Sequence, residues 1–213
     1  MPPPETTGPG APHRVDTAAI TRDLAYQFDG VFTQGQVAAA VEGALAALEP
    51  QSRIPTFLPI LVTRYAKEQL TATAQADGTF PKTVPEILFV CVRNAGRSQM
   101  AAAIAAHLAP GKVHVRSAGS HPSGDINQDA IQALRERGIT LTDAYPKPLS
   151  DSAVHAADVI VTMGCGDTCP VFPGKRYDDW DVADPDGQPL PVVRDIRDDL
   201  TARVATLLRE LGI

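Results

Sequence analysis

Residues 86–100, EILFVCVRNAGRSQM, decide the fold of the chain. The stretch begins with a short apolar run, residues 87–90, which is typical of a buried strand, and it continues into a tight loop that starts at Cys91. A helix is predicted from Ser98 to about Leu108. A strand, a loop and a helix start in this order form a cradle for a tetrahedral oxyanion, because the first N–H groups of the helix lack partners and the helix dipole is positive there.

The loop also carries the side chains that such chemistry needs. Arg97 supplies a planar fork that matches two oxygens of an anion. The field of the loop would stabilise the thiolate of Cys91, which is the nucleophilic form. The alternative is a buried structural cysteine, with Arg97 in a surface ion pair. The predicted oxyanion-binding residues are Val92, Arg93, Asn94, Ala95, Gly96, Arg97 and Ser98.

The motif C-V-R-N-A-G-R-S at residues 91–98 resembles the phosphate-binding loop of the low-molecular-weight protein tyrosine phosphatase superfamily. Within that superfamily the chain is most similar to the thioredoxin-coupled arsenate reductases, in an actinobacterial-like form with an extra N-terminal helical domain. The resemblance covers about residues 84–213 and leaves the first eighty or so unexplained.

The composition excludes several classes of function. A hydrophobic content of 44%, a charged content of 21% and a net charge of −6 are ordinary for a soluble globular protein and offer no basic surface to nucleic acid or anionic lipid. No apolar run has the length of a membrane span, and the N-terminus lacks the pattern of a secretory signal. The three cysteines, clustered in the second half, do not resemble an extracellular disulfide framework. The expected compartment is the cytoplasm.

Four regions are predicted along the chain. Residues 1–14, rich in Pro, Gly and Thr, are expected to be a disordered tail. Residues 15–72 are predicted to form a three-helix domain, because apolar residues recur there at helical spacing and one helix opens on a capping box. Residues 73–85 are a linker by composition, and residues 86–213 form the phosphatase-like domain. The helical domain is expected to be a structural or docking module, and the alternative is a partner-binding or oligomerisation surface.

Strands and helices alternate in the second domain, which predicts an α/β fold with a four-stranded parallel sheet flanked by helices. The predicted strands are 87–91, 113–116, 158–162 and about 176–178, the predicted helices are 98–108, 127–137 and 192–211, and a turn is predicted at 117–119. Ligands of such sheets bind beyond the carboxyl ends of the strands. Cys91 and Cys165 follow two of these ends and are therefore expected at one crevice.

The resemblance implies a relay of the three cysteines. Cys91 would be the nucleophile, Cys165 would attack Cys91 to form a disulfide, and Cys169 would accept that disulfide from Cys165. The alternatives are two inert thiols or a zinc site at Cys165 and Cys169. No spacing of the histidines supplies further zinc ligands, so no metal site is expected.

The resemblance also implies a general acid and two supporting residues. Asp184, in an Asp-Pro turn, matches the acid that protonates the leaving oxygen, and Asp181 and Asp186 are competing candidates. Asp186 stands where the tyrosine phosphatases carry an aromatic side chain, which weakens a phosphatase function. Asn94 would hold the shape of the loop, and Ser98 would donate a hydrogen bond to the Cys91 thiolate.

The function implied by the resemblance is reduction of arsenate to arsenite for arsenic detoxification, with thioredoxin as the electron donor and no bound cofactor. Phosphate and sulfate are expected to compete for the cradle. The alternatives are a reductase that uses mycothiol with mycoredoxin, a low-molecular-weight protein tyrosine phosphatase, and a non-catalytic oxyanion sensor. Thioredoxin-linked relatives often bind potassium through an acid on the first helix, and the alanines at 101–103 give no support to such a site.

Overall fold

The chain divides into two compact units, Met1–Glu68 and Gln69–Ile213. The computed structural model describes residues 15–52, 55–142, 144–164 and 171–213. The predicted tail, residues 1–14, lies outside this part of the chain. The domain boundaries predicted at residues 72 and 85 stay a prediction. Among the described residues, no helix combines the length and the apolar character needed to cross a bilayer.

Three helices form the N-terminal part of the chain, as the apolar spacing predicts: α1 (Thr17–Gln27), α2 (Gln34–Leu48) and α3 (Leu58–Ala76). The capping box begins α2, where Thr33 Oγ1 accepts from the Gln36 N–H at 3.3 Å and Gln36 Oε1 accepts from the Thr33 N–H at 2.8 Å. Leu24 of α1 and Val41 of α2 are fully buried. The cap and the buried stripe together account for this helical region.

Helix α3 continues to Ala76 and takes in the first residues of the predicted linker, 73–85. Threonines at 71 and 73 have weak helix propensity. Ala72 and Ala74, which alternate with them, are completely buried. Burial of these two alanines therefore stabilises the helix past the point that composition indicates.

The second unit contains the predicted parallel sheet, with strand order β2-β1-β3-β4 and every neighbouring pair parallel. Its elements after α3 are β1 (Glu86–Cys91), α4 (Arg97–Leu108), β2 (His114–Gly119), α5 (Gln128–Arg135), α6 (Asp151–Ala156), β3 (Val159–Met163), β4 (Arg176–Asp179) and α7 (Leu190–Glu210). The short helix α6 has no counterpart among the predicted elements. It begins at the N-cap Ser150, whose side chain accepts from the N–H of Ala153.

The turn predicted at residues 117–119 is wrong, because these residues form the end of β2. Ser117 pairs with Phe89 and Gly119 pairs with Cys91, so the ladder with β1 holds the segment extended. Gly119 is required there for a second reason. A Cβ at this position would lie 2.8 Å from the carbonyl oxygen of Val92 and 3.0 Å from the backbone nitrogen of Asn94.

Strand β1 lies between β2 and β3, and all of its residues are buried. Ile87, Phe89 and Cys91 belong to the core on one face of the sheet, and Leu88 and Val90 belong to the core on the other face. A strand covered on both faces reads as a continuous apolar run, which is the pattern that residues 87–90 show. The cysteine therefore stands at the carboxyl end of a strand that is fixed on every side.

The amino end of β1 buries a charged cluster. Glu86 is 1% exposed and pairs with Arg116 of β2, whose Nη2 donates to Gln75 Oε1 at 3.0 Å. The Nδ1 of His114 lies 3.2 Å from Glu86 Oε2. Burial raises the pKa of Glu86, but the neighbouring His114 ring and the Arg116 guanidinium lower it by more, so this pKa lies below its ordinary value.

Candidate active site

The backbone of the loop after β1 turns its carbonyl groups toward the segment that follows β2. The oxygens of Cys91, Val92, Arg93 and Ala95 accept hydrogen bonds from the N–H groups of Ser120, His121, Ser123 and Asn127, at 3.0, 2.8, 3.4 and 2.8 Å. A trans peptide directs its C=O and the following N–H in opposite directions, so the N–H groups that follow these carbonyls point to the inside of the loop. Within the described residues, none of the N–H groups of residues 92–98 donates a hydrogen bond. They form a concave set of donors that suits an anion.

The start of α4 completes this set of donors. Its N-cap is Gly96, which provides no side chain to cap the helix, so the first N–H groups remain open at the positive end of the helix dipole. A Cβ on Gly96 would lie 2.6 Å from Cγ of Pro185. Glycine therefore allows the Asp-Pro segment to pack directly on the loop.

A short chain of hydrogen bonds leads to the cysteine sulfur. Cys91 is 2% exposed, and its Sγ lies 3.0 Å from Oγ of Ser98. Asn94 Nδ2 donates to the same hydroxyl oxygen at 2.8 Å, so the hydroxyl proton of Ser98 is available for the sulfur. Asn94 is fully buried and, with a φ of 51°, is the one non-glycine residue in the described part of the chain with positive φ. Asparagine tolerates this conformation better than most side chains.

Arg97, the first residue of α4, faces the predicted acid. Its Nη2 donates to Oδ2 of Asp184 at 2.8 Å, and its Nη1 donates to the carbonyl oxygen of Val182 at 3.3 Å. Gly164, at the end of β3, has a φ of +70°, and a Cβ there would lie 2.8 Å from Nη1. The guanidinium is thus held between the end of β3 and the Asp-Pro segment. The structure brings Arg97, Cys91 and Asp184 to one end of the sheet.

A second ion pair joins the loop to the same segment. Arg93 Nη2 lies 2.7 Å from Oδ2 of Asp186 and 3.8 Å from Oδ1 of Asp184. The hydrogen bond to Asp186 raises the pKa of Arg93 above its usual value. Of the three candidate acids, Asp184 is the one that contacts Arg97, whereas Asp186 pairs with Arg93 and Asp181 is exposed with its carbonyl oxygen bound to Arg203.

Cys165 and Cys169 lie outside the described residues. Met163 is the register partner of Cys91 on the adjacent strand, and Cys165 follows Met163 by two residues.

Gln99 is a residue of this region that the sequence motif does not identify. It is 5% exposed, and its Nε2 lies within hydrogen-bond distance of two oxygens of Asn94 and of the carbonyl oxygen of Tyr145. The available signal was a long polar side chain in the first turn of a helix that is otherwise rich in alanine. In the described part of the chain, no group of three or more His, Cys, Asp or Glu side chains is arranged to hold a metal ion.

Comparison with known proteins identifies the family. Residues 86–212 match the family described as low molecular weight phosphotyrosine protein phosphatase. The chain belongs to this family. Residues 18–74 match a second family, described as protein-tyrosine-phosphatase-like, N-terminal domain. The two matches together cover the predicted helical region and the predicted α/β domain.

Individual relatives of this family member include several arsenate reductases. A solved thioredoxin-dependent arsenate reductase from Corynebacterium glutamicum is 39% identical, with a TM-score of 0.85, over 92% of this chain and 96% of that chain. A solved arsenate reductase in the phosphate-binding state is 33% identical, with a TM-score of 0.54, over 60% of this chain and 99% of that chain. A putative arsenate reductase of Halobacterium salinarum is 35% identical over 129 residues, which is 58% of this chain and 91% of that protein. The predicted fold class and the predicted relationship to arsenate reductases are confirmed.

Proposed function

We propose that the protein is a thioredoxin-dependent arsenate reductase that serves arsenic detoxification. One observation carries this proposal: the similarity to the thioredoxin-dependent arsenate reductase of Corynebacterium glutamicum extends over 92% of the chain, including the N-terminal helices. The loop with its open N–H groups supports it, since the same donors that bind phosphate accept any tetrahedral oxyanion of similar size.

In the first step, arsenate binds to the N–H groups of residues 92–98 and to Arg97. Arg97 is paired with Asp184 at 2.8 Å before an anion arrives, so the anion takes the arginine from this carboxylate. Phosphate and sulfate offer the same oxygens and compete for the site. A relative solved in a phosphate-binding state supports this competition.

Asp184, released from Arg97 by the anion, takes up a proton. In the second step, the Cys91 thiolate attacks arsenic and the bond from arsenic to one oxygen breaks. Protonated Asp184 donates its proton to that oxygen, which leaves as water. Cys165 then attacks Cys91, so that the sulfur–sulfur bond forms, the arsenic–sulfur bond breaks, and its electron pair leaves with arsenite. Cys169 attacks Cys165 and releases the Cys91 thiolate. The dithiol of thioredoxin finally reduces the Cys165–Cys169 disulfide by the same exchange chemistry.

The end of β3 supports the disulfide step. A disulfide needs its two Cα atoms about 4.4–6.8 Å apart. Cys165 follows Met163, the register partner of Cys91, by two residues in sequence, so the proposed bond joins the segments that follow two adjacent strands. Gly164 has positive φ and no side chain, which favours a change of direction there.

The proposed setting follows from the chemistry. Free thiols that cycle through a disulfide require a reducing compartment with thioredoxin, so we assign the enzyme to the cytoplasm. The proposed partners are arsenate and thioredoxin, and neither nucleic acid, a membrane nor a bound cofactor takes part.

The decisive experiment measures arsenate-dependent NADPH oxidation with thioredoxin and thioredoxin reductase, and in parallel with mycothiol and mycoredoxin. We expect turnover with thioredoxin for the wild type and loss of multiple turnover in Cys165→Ser and Cys169→Ser. The small-thiol mechanism would be favoured over the relay if Cys169→Ser kept full turnover with mycothiol and the wild type showed no turnover with thioredoxin.

A phosphatase is the second candidate, because the family itself is one of phosphotyrosine phosphatases. In that reaction Cys165 and Cys169 would have no role. Hydrolysis of paranitrophenyl phosphate at a kcat/KM above that of arsenate reduction, unchanged in Cys165→Ser, would favour it. The ion pair between Arg93 and Asp186 beside the loop opposes it, since a charged pair gives a phenyl ring no apolar wall.

A further inference from the structure

Gln99 occupies a closed polar position behind the loop. Its Nε2 is 3.0 Å from Oδ1 of Asn94, 3.2 Å from the carbonyl oxygen of Asn94 and 3.0 Å from the carbonyl oxygen of Tyr145. The side chain is 5% exposed and lies in the first turn of α4, two residues after Arg97. It contacts the loop from the side opposite to the anion cradle, where the loop carbonyls are directed.

These three contacts fix the orientation of the Gln99 amide. All three partners are oxygen acceptors, so only the NH₂ group of the amide satisfies them. Two hydrogens serve three oxygens, so one hydrogen is shared between two of them. Gln99 thereby connects the backbone and the side chain of the one residue in the loop that has positive φ.

The Gln99 amide and the N–H of Lys147 together determine the direction of the hydrogen bonds beyond them. Asn94 Oδ1 accepts from Gln99 and from the N–H of Lys147 at 3.0 Å, so the NH₂ of Asn94 is left to face Ser98 at 2.8 Å. The hydroxyl of Ser98 accepts this bond, and its own proton is directed to Cys91 Sγ at 3.0 Å. A donor directed at the sulfur stabilises the thiolate over the thiol.

We propose that Gln99 is a positioning residue that sets this direction and so controls the reactivity of Cys91. The inference rests on the proposed role of Cys91 as the nucleophile, and it does not depend on arsenate being the substrate. Without the Gln99 donors, the amide of Asn94 loses one of the two bonds that hold its oxygen away from Ser98. An Asn94 turned the other way would accept from Ser98 and withdraw the hydroxyl proton from the sulfur.

The test measures the rate at which iodoacetamide alkylates Cys91, as a function of pH, by mass spectrometry of the peptide that contains it. For Gln99→Met, which keeps the length of the side chain and removes its donors, we expect the pH midpoint of this rate to move upward by about one unit. The matched control is Gln128→Met, a glutamine in the first turn of α5 that bonds only to the carbonyl oxygen of Ile126 at 3.2 Å among the described contacts. Its midpoint is expected to equal that of the wild type.

A double-mutant cycle separates positioning from a general loss of structure. If Gln99 acts through Ser98, then Ser98→Ala raises the midpoint by itself, and Gln99→Met adds nothing in the Ser98→Ala background. Equal shifts from Gln99→Met in both backgrounds, or no shift in either, overturn the proposal.

Melting temperatures establish that each variant folds. Gln99→Leu removes the same donors without adding a charge and carries the same test if Gln99→Met does not fold, with an upward shift expected for the same reason. A wild-type midpoint in this variant contradicts the proposal. Because alkylation needs no arsenate, a protein without arsenate reductase activity still gives a clear result for Gln99.

Discussion

Each end of β1 buries a group that can carry negative charge, and the surroundings of the two groups differ. Glu86 at the amino end is 1% exposed, and Cys91 at the carboxyl end is 2% exposed. Glu86 has a fixed counter-charge in Arg116 and a further partner in His114. Cys91 has a hydroxyl proton from Ser98 and, above it, a loop whose N–H groups donate to no described residue.

The difference separates a structural charge from a reactive one. At the Glu86 end the basic side chains of Arg116 and His114 face the carboxylate, so its negative charge is balanced within the described part of the chain. At the Cys91 end the donors exceed the acceptors that the described chain supplies, and the excess is available to an incoming anion. Strand β1 therefore carries a structural charge cluster at its amino end and the candidate active site at its carboxyl end.

Cys91→Ser tests this separation with the largest expected effect. We expect a loss of arsenate reductase activity of at least about 10³-fold, because a serine hydroxyl is a far weaker nucleophile than a thiolate. Phosphate binding, measured by calorimetry, and the free energy of unfolding, measured with urea, should stay close to those of the wild type. A large loss of stability in this variant would contradict the separation.

Glu86→Gln is the converse change. It removes the buried carboxylate charge that faces the guanidinium of Arg116, so we expect the free energy of unfolding to fall by about 3–5 kcal/mol. The kcat of the folded enzyme should stay unchanged. The control is Asp199→Asn, which breaks the surface pair with Arg203 and should cost less than about 0.5 kcal/mol. A small effect at Glu86 would mean that the cluster is not a structural requirement.

A pair of glycine variants sharpens the comparison at the Cys91 end. Gly164→Ala places a Cβ 2.8 Å from Arg97 Nη1 and should weaken phosphate binding by about tenfold, because the arginine is displaced. Gly174 also has positive φ, +81°, but a Cβ there meets nothing within 4 Å. Gly174→Ala therefore introduces the same backbone strain, and its phosphate affinity should remain that of the wild type.

Acid unfolding gives the smallest expected effect. The pKa of Glu86 is below its ordinary value, so the carboxylate contributes stability above the pKa of the unfolded chain, about 4.3, and that stability is lost as the pH falls through the lower folded value. In urea titrations between about pH 5 and pH 3, the wild type should lose stability more steeply than Glu86→Gln. Parallel curves for the two proteins would show that Glu86 does not contribute to acid unfolding.

The order of strands and helices in the second unit could be predicted from the sequence, because β1 is buried on both faces and its apolar run marks the centre of a parallel sheet. Two features of this unit could not. Helix α6, Asp151–Ala156, is too short to show a helical period. The residues Ser-Ala-Gly at the end of β2 have turn composition, and it is their pairing with β1 that makes them a strand.

The same limit applies to the site. The loop motif identifies Arg97 and the Asp-Pro motif identifies Asp184, since each has a local pattern. That the two side chains contact each other is a property of the folded chain, because they are 87 residues apart in sequence. Gln99 could not be identified from the sequence for a related reason. Its hydrogen-bond partners, Asn94 and Tyr145, come close to it only when the loop and the segment before Lys147 have folded together.

The central place of β1 has a consequence for the dynamics of the nucleophile. The amides of Ile87, Leu88, Phe89 and Val90 are enclosed by a strand on each side and a core on each face, so their hydrogens should exchange with deuterium only when the whole unit opens. The neighbouring loops would then open locally far more often than β1, the strand that carries Cys91. In hydrogen-exchange mass spectrometry, the opening free energy of this peptide should equal the global stability of the unit.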